Sequence, residues 1–100
     1  MGDGSRREMA ELLLSGDVQG VGLRSYAEGV ALSLGLTGFI QNLEDGRVMA
    51  VCEGTSEKIS EFLTALKEAP PPIRVRRTTV KHSEATGRFA TFSVTRSPGR

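Results

Sequence analysis

The chain has no tryptophan, one cysteine (Cys52), one histidine (His82), and no apolar run long enough to cross a bilayer. One cysteine rules out an intrachain disulfide and any cysteine-rich metal cluster. A lone histidine with no second cysteine offers no metal-ligand set of the usual spacing. A membrane-spanning helix needs roughly 18–20 consecutive apolar residues, which this sequence does not have. An excess of one charge is missing too. Thirteen Lys and Arg face 12 Asp and Glu, a formal net charge of +1. That balance argues against a surface built mainly to grip nucleic acid or an anionic membrane, while leaving room for a local basic patch. The opening stretch MGDGSRREMAELLLSG holds no apolar segment of signal-peptide length followed by a small-residue cleavage site, so the expectation is a soluble, cytoplasmic protein.

What is present is enough for one domain. One hundred residues allow a single hydrophobic core, and the apolar 38% falls in periodic blocks. Glu8 to Ser15 alternates, with Ala10, Leu12 and Leu14 on one face, and reads as an interior strand. Gly16 to Gly22 contains three glycines and reads as a loop. Leu23, Ala27, Val30, Ala31 and Leu34 then form one helical stripe, closed by Gly35. Thr37 to Gln41 and Arg47 to Glu53 flank an Asp45-Gly46 turn, the signature of a hairpin. A second helix carries Ile59, Phe62, Leu63 and Leu66 and ends at Pro70 to Pro72. Ile73 to Lys81 alternates as a strand with one wet face. After a turn at Glu84 to Gly87, Arg88 to Thr95 reads as a last strand. The order β-α-β-β-α-β plus one extra C-terminal strand predicts an α+β, ferredoxin-like sandwich: a mostly antiparallel sheet with two helices on one face. The domain is expected over residues 8–96, with residues 1–7 and 97–100 as flexible tails.

The segment with chemical content is Gly16 to Arg24, GDVQGVGLR, between a strand and the first turn of a helix. Glycines there let backbone N–H groups converge on an anion, and the helix N-terminus adds unpaired donors and the positive end of its dipole. Arg24 adds a permanently charged planar fork suited to phosphate oxygens. No Gly-Lys-Ser/Thr closes the loop, so it is not a nucleotide P-loop. Ser25 stands at the third glycine position of a dinucleotide fingerprint. On composition alone, a tight turn with a surface arginine explains the segment equally well.

The longer stretch GDVQGVGLRSYAEGVALSLGLTGFIQNLEDGRVMAVCEG resembles the signature region of the acylphosphatases. That family carries Gly-x-Val-Gln-Gly-Val-x-Phe-Arg, a helix, Leu-Gly-Leu-x-Gly-Trp-Val-x-Asn and an x-x-Gly-x-Val hairpin. Gly16, Val18, Gln19, Gly20, Val21, Arg24, Leu34, Gly35, Leu36, Gly38, Asn42, Gly46 and Val48 match in register, and Glu53 and Gly54 follow. The similarity runs over roughly Leu12 to Val94. It implies a ferredoxin-like fold and metal-independent hydrolysis of acyl phosphates to a carboxylate and inorganic phosphate. It also implies no cofactor, a small-molecule substrate and a monomer, while the balanced charge gives the expectation of no nucleic-acid or membrane partner. By the same resemblance Arg24 and Asn42 are the catalytic residues, with Asn42 positioning the attacking water. Gly16, Asp17, Val18, Gln19, Gly20, Val21 and Gly22 form the phosphate-binding loop. Leu23 and Phe39 stand where the family usually has phenylalanine and tryptophan. Leu43 and Arg47 stand where many members have hydroxyl residues flanking the asparagine, which implies a thinner support for the Asn42 amide. The resemblance extends to the N-terminal domain of the carbamoyltransferase that matures nickel–iron hydrogenases. An alternative expectation is therefore a module that binds phosphate or a carbamoyl-type anion with little turnover.

Other residues have plainer readings. Cys52 lies on an apolar strand face and reads as a buried, unreactive thiol. Glu44 and Asp45 belong to a solvated turn. Arg74, Arg76, Arg77 and Lys81 form a basic strand without the exposed aromatics that RNA-stacking sheets use, and read as a soluble edge.

Overall fold

A computed structural model describes residues 6–95. The elements run β1 (Arg7–Asp17), α1 (Leu23–Ser33), β2 (Thr37–Asn42), β3 (Val48–Thr55), α2 (Ser56–Lys67), β4 (Arg74–Glu84) and β5 (Phe92–Thr95). They build one five-stranded sheet in the order β4-β1-β3-β2-β5. Every pairing is antiparallel except β2 with β5. The first four strands with two helices give the ferredoxin-like α+β fold, and β5 extends the sheet beside β2.

The period-2 alternation of the strands decides what the helices cover. Ala10, Leu12 and Leu14 of β1, Ile40 of β2, and Val48, Ala50 and Cys52 of β3 form one buried cluster with Leu23, Ala27 and Ala31 of α1 and Ile59, Phe62 and Leu66 of α2. Val30 and Leu34 complete the α1 stripe from a half-buried position. Phe92 meets Phe62 edge-on, with ring centroids 5.7 Å apart, so β5 is anchored to the core through a side chain of α2. Fully burying one such side chain stabilises the fold by about 1.5–3 kcal/mol. The Tyr26 hydroxyl donates to the Ala65 carbonyl at 3.1 Å and ties the two helices together.

Three of the boundaries that differ from the sequence reading do so for a non-local reason. β1 does not stop at Ser15. It shifts register between Ser15 and Gly16 and continues, with Gly16 opposite Val75 and Asp17 opposite Arg74. A Cβ on Gly16 would collide with the Arg74 carbonyl, so the glycine leaves room for β4, which bulges at Arg76, rather than opening a free loop. β4 runs on to Glu84 because β1 supplies a partner for its whole length. The last strand begins at Phe92 and not Arg88, because the preceding segment is captured elsewhere. Glu53, buried on β3, accepts from the backbone N–H groups of Thr86 (2.9 Å) and Gly87 (2.8 Å) and from the Thr86 hydroxyl (2.6 Å). Phe89 then packs tilted against Phe39 at 5.9 Å. Of the expected tails, residues 1–5 and 97–100 lie outside the described residues, while Arg7 pairs with Thr55 at the start of β1.

Candidate active site

The site forms where β1 hands over to α1. Val18 turns its side chain into the core, 2% exposed, and fixes the start of the loop. Gly20 and Gly22 both hold positive φ, 74° and 88°. At Gly22 this left-handed backbone is the helix N-cap position, and a residue with a Cβ would be strained there.

The two helix N-termini differ in a way that bears on function. α2 is capped by its own sequence: the Thr55 hydroxyl accepts from the Lys58 N–H at 3.2 Å, and Glu57 sits in the first turn. α1 has no side-chain cap and no acid in its first turn. Its first N–H groups and dipole are therefore left for something outside the helix. The residues that carry them line a cavity of about 290 Å³: Gly20, Gly22, Leu23, Arg24 and Ser25, with Val94 of β5 and Glu28 further along. Arg24 is half-buried, and among the described residues it makes no ion pair. A larger open depression of about 560 Å³ at the other end of β1 includes Arg6, Arg7 and His82, but also Glu8 and Glu84. It lies by the capped end of α2, and His82 there is held by Glu8 at 3.3 Å, so it suits an anion less well.

The predicted site residues separate into groups. Gly20, Gly22 and Arg24 come together around the cavity, with Val18 behind them. Gly16 and Asp17 lie back in β1, and the Asp17 carboxylate pairs with Arg76 at 3.5 Å. Val21 packs partly against the core. Asn42 ends β2, half-buried, outside the residues that line this cavity. Gln19 does something its position in the loop did not announce. Its side-chain Nε2 donates to the carbonyls of Leu43 (2.7 Å) and Arg47 (2.9 Å). The β2–β3 turn that begins just after Asn42 is thereby bound to the loop that leads into α1. Within that turn the Leu43 N–H donates to the Arg47 carbonyl at 2.8 Å, and the Arg47 guanidinium reaches Asp45 at 2.8 Å. The Arg47 hydrogen bonds hold the Asp45 carboxyl below its ordinary range. Leu43 and Arg47 thus shape the turn through backbone groups and an ion pair.

Cys52 plays no part in this surface. It is fully buried, and burial pushes its thiol up to about 12. No group of three or more His, Cys, Asp or Glu among the described residues could hold a metal ion, and no described helix is long and apolar enough to cross a membrane.

A ferredoxin-like sandwich whose first helix starts uncapped at a cavity beside an arginine is a small α+β domain with a site of the kind an anion fits. Comparison with known proteins gives the particular family. The acylphosphatase family model matches residues 10–94, and the chain belongs to the acylphosphatase family. It is 44% identical over 81 residues to an acylphosphatase of Syntrophotalea carbinolica, covering 81% of this chain and 88% of that one. It is 47% identical over 75 residues to an acylphosphatase of Thermus thermophilus, covering 75% and 85%. The crystal structure of acylphosphatase from Bacillus subtilis superposes with a TM-score of 0.84 at 30% identity, over 88% of this chain and 98% of that one.

Proposed function

We propose that the amides at the start of α1, Arg24 and Asn42 carry out acyl phosphate hydrolysis, the activity of the family to which the chain belongs. The observation that carries this reading is the uncapped α1 N-terminus facing the same cavity as a half-buried arginine free of any carboxylate partner among the described residues. The phosphoryl group sits against the amides of the Gly20–Ser25 segment, with its charge shared by the Arg24 guanidinium. Asn42 holds a water for in-line attack. The water oxygen bonds to phosphorus, the bond from phosphorus to the acyl oxygen breaks, and its electron pair leaves with the carboxylate.

Few groups are needed. The leaving carboxylate has a conjugate acid with pKa near ~4, so it departs without a proton donor. The transition state is loose, and positioning with charge stabilisation does most of the catalysis. A phosphoryl oxygen of the substrate accepts the water's proton, so no histidine or carboxylate base is required, nor a metal. Gln19 enters as a positioning residue: its two hydrogen bonds set the Asn42 turn against the phosphate loop.

We place the active domain over residues 8–96, working as a cytoplasmic monomer on a small molecule. Arg74, Arg76, Arg77 and Lys81 along edge strand β4 discourage edge-to-edge pairing with another copy. The test is steady-state hydrolysis of benzoyl phosphate with a chelator present. Turnover unaffected by chelation is expected. Phosphate binding without turnover would instead make the chain a binding module.

A further inference from the structure

The cavity carries a charge that binding a phosphate does not call for. Glu28 lines it together with Arg24, four residues earlier on α1. That spacing puts both side chains on one face, with Glu28 about 6 Å farther from the helix N-terminus. Glu28 is half-buried and, among the described residues, has no cation within ion-pair distance. The wall toward β5 is apolar, formed by Val94, with Leu23 and Val18 toward the loop, and Ser25 adds one hydroxyl residue to the α1 side. A phosphoryl group anchored at the uncapped end of α1 leaves the rest of the cavity, between α1 and Val94, for the acyl substituent. No step of the hydrolysis uses a carboxylate there.

We infer that Glu28 sets the charge class of the acyl group, so that neutral or ammonium-bearing acyl phosphates are accepted and carboxylate-bearing ones are disfavoured. The inference rests on the site being the acyl phosphate site proposed above. Two like charges about 8 Å apart, at an effective dielectric between ~20 and ~80, repel enough to change binding by roughly 2- to 30-fold. An apolar acyl group meets Val94 without that penalty.

The experiment compares kcat/KM for benzoyl phosphate, whose acyl group is neutral, with kcat/KM for succinyl phosphate, which bears a free carboxylate. It uses the wild type, Glu28→Gln and Glu28→Lys, at low salt and at about 1 M salt. Glutamine keeps the size and helix propensity of glutamate. Taking the ratio within each protein cancels any difference in folded fraction. The expected result is a benzoyl preference in the wild type that narrows about threefold or more in Glu28→Gln, narrows further in Glu28→Lys, and shrinks at high salt. A ratio that is the same in all three proteins overturns the role of Glu28 alone. A wild type that hydrolyses neither compound overturns the site reading together with it.

Discussion

At the level of single residues, catalysis turns on Arg24 and its alignment on Gln19. Arg24 spends no interaction on a described carboxylate, so replacing it should cost chemistry and not folding. Arg24→Gln is expected to lower kcat/KM for benzoyl phosphate by about 10²–10³-fold, the usual loss when one donor to a developing oxyanion is removed. Its urea midpoint should stay close to wild type. Gln19→Ala should behave differently. It removes two hydrogen bonds that cross 24 and 28 residues of sequence and frees the turn beside Asn42. Stability should fall by about 1–3 kcal/mol and kcat by about 10-fold or more, because loss of alignment costs rate even where no contact to substrate is lost. Denaturation and steady-state kinetics on the same preparation separate the two cases. The Arg24 charge and the glycines around it are legible in the sequence, since they are local. The Gln19 clamp is not, because its acceptors are backbone carbonyls in a distant turn and any residue there offers a carbonyl. The Asp17 side chain is a related case: it sits in the loop motif but spends its charge on Arg76 of β4.

At the scale of elements, the contrast between the helix N-termini yields a paired prediction. Thr55→Ala removes the side-chain cap of α2 and should cost about 0.5–2 kcal/mol of stability. It should leave kcat and KM for benzoyl phosphate unchanged, since the capped end of α2 lies away from the α1 cavity. A chemical denaturation curve and a kinetic assay check both halves. The α1 stripe and the Asp45-Gly46 hairpin are readable from periodicity and turn chemistry because both are satisfied within a few residues. The ends of β1 and the onset of β5 are not. β1 continues past Ser15 only because β4 offers partners across a bulge. Residues 88–90 stay out of the sheet because the segment before them is held by Glu53 and because Phe89 packs on Phe39. Local alternation around Ala90 and Phe92 carries no information about a carboxylate more than thirty residues away.

For the whole molecule, the connection between the two sheet edges depends on one buried acid. Burial by itself would push the Glu53 carboxyl up. The hydrogen bonds from Thr86 and Gly87, with the Arg7 charge nearby, outweigh it and hold the group below its ordinary value of 4.5. A carboxyl whose folded pKa is depressed stabilises the fold fully above its unfolded value and loses that contribution as pH falls through the folded one. Urea midpoints measured from neutral pH downward should therefore decline below about pH 4.5. Glu53→Gln leaves donors facing an amide and should be less stable at neutral pH by about 1–3 kcal/mol. Its gap from the wild type should close as the pH drops. A gap that stays constant with pH would remove the carboxylate's role in holding the crossing segment.

The central claim is that backbone amides at the start of α1, assisted by Arg24, bind a phosphate dianion. The most direct measurement is a titration of inorganic phosphate into ¹⁵N-labelled protein, following every amide resonance. The account predicts saturable shifts concentrated on Gly20 to Ser25, with smaller ones at Asn42, and their loss in Arg24→Gln. Shifts that gather instead around Arg6, Arg7 and His82, or that fail to saturate anywhere, would contradict it.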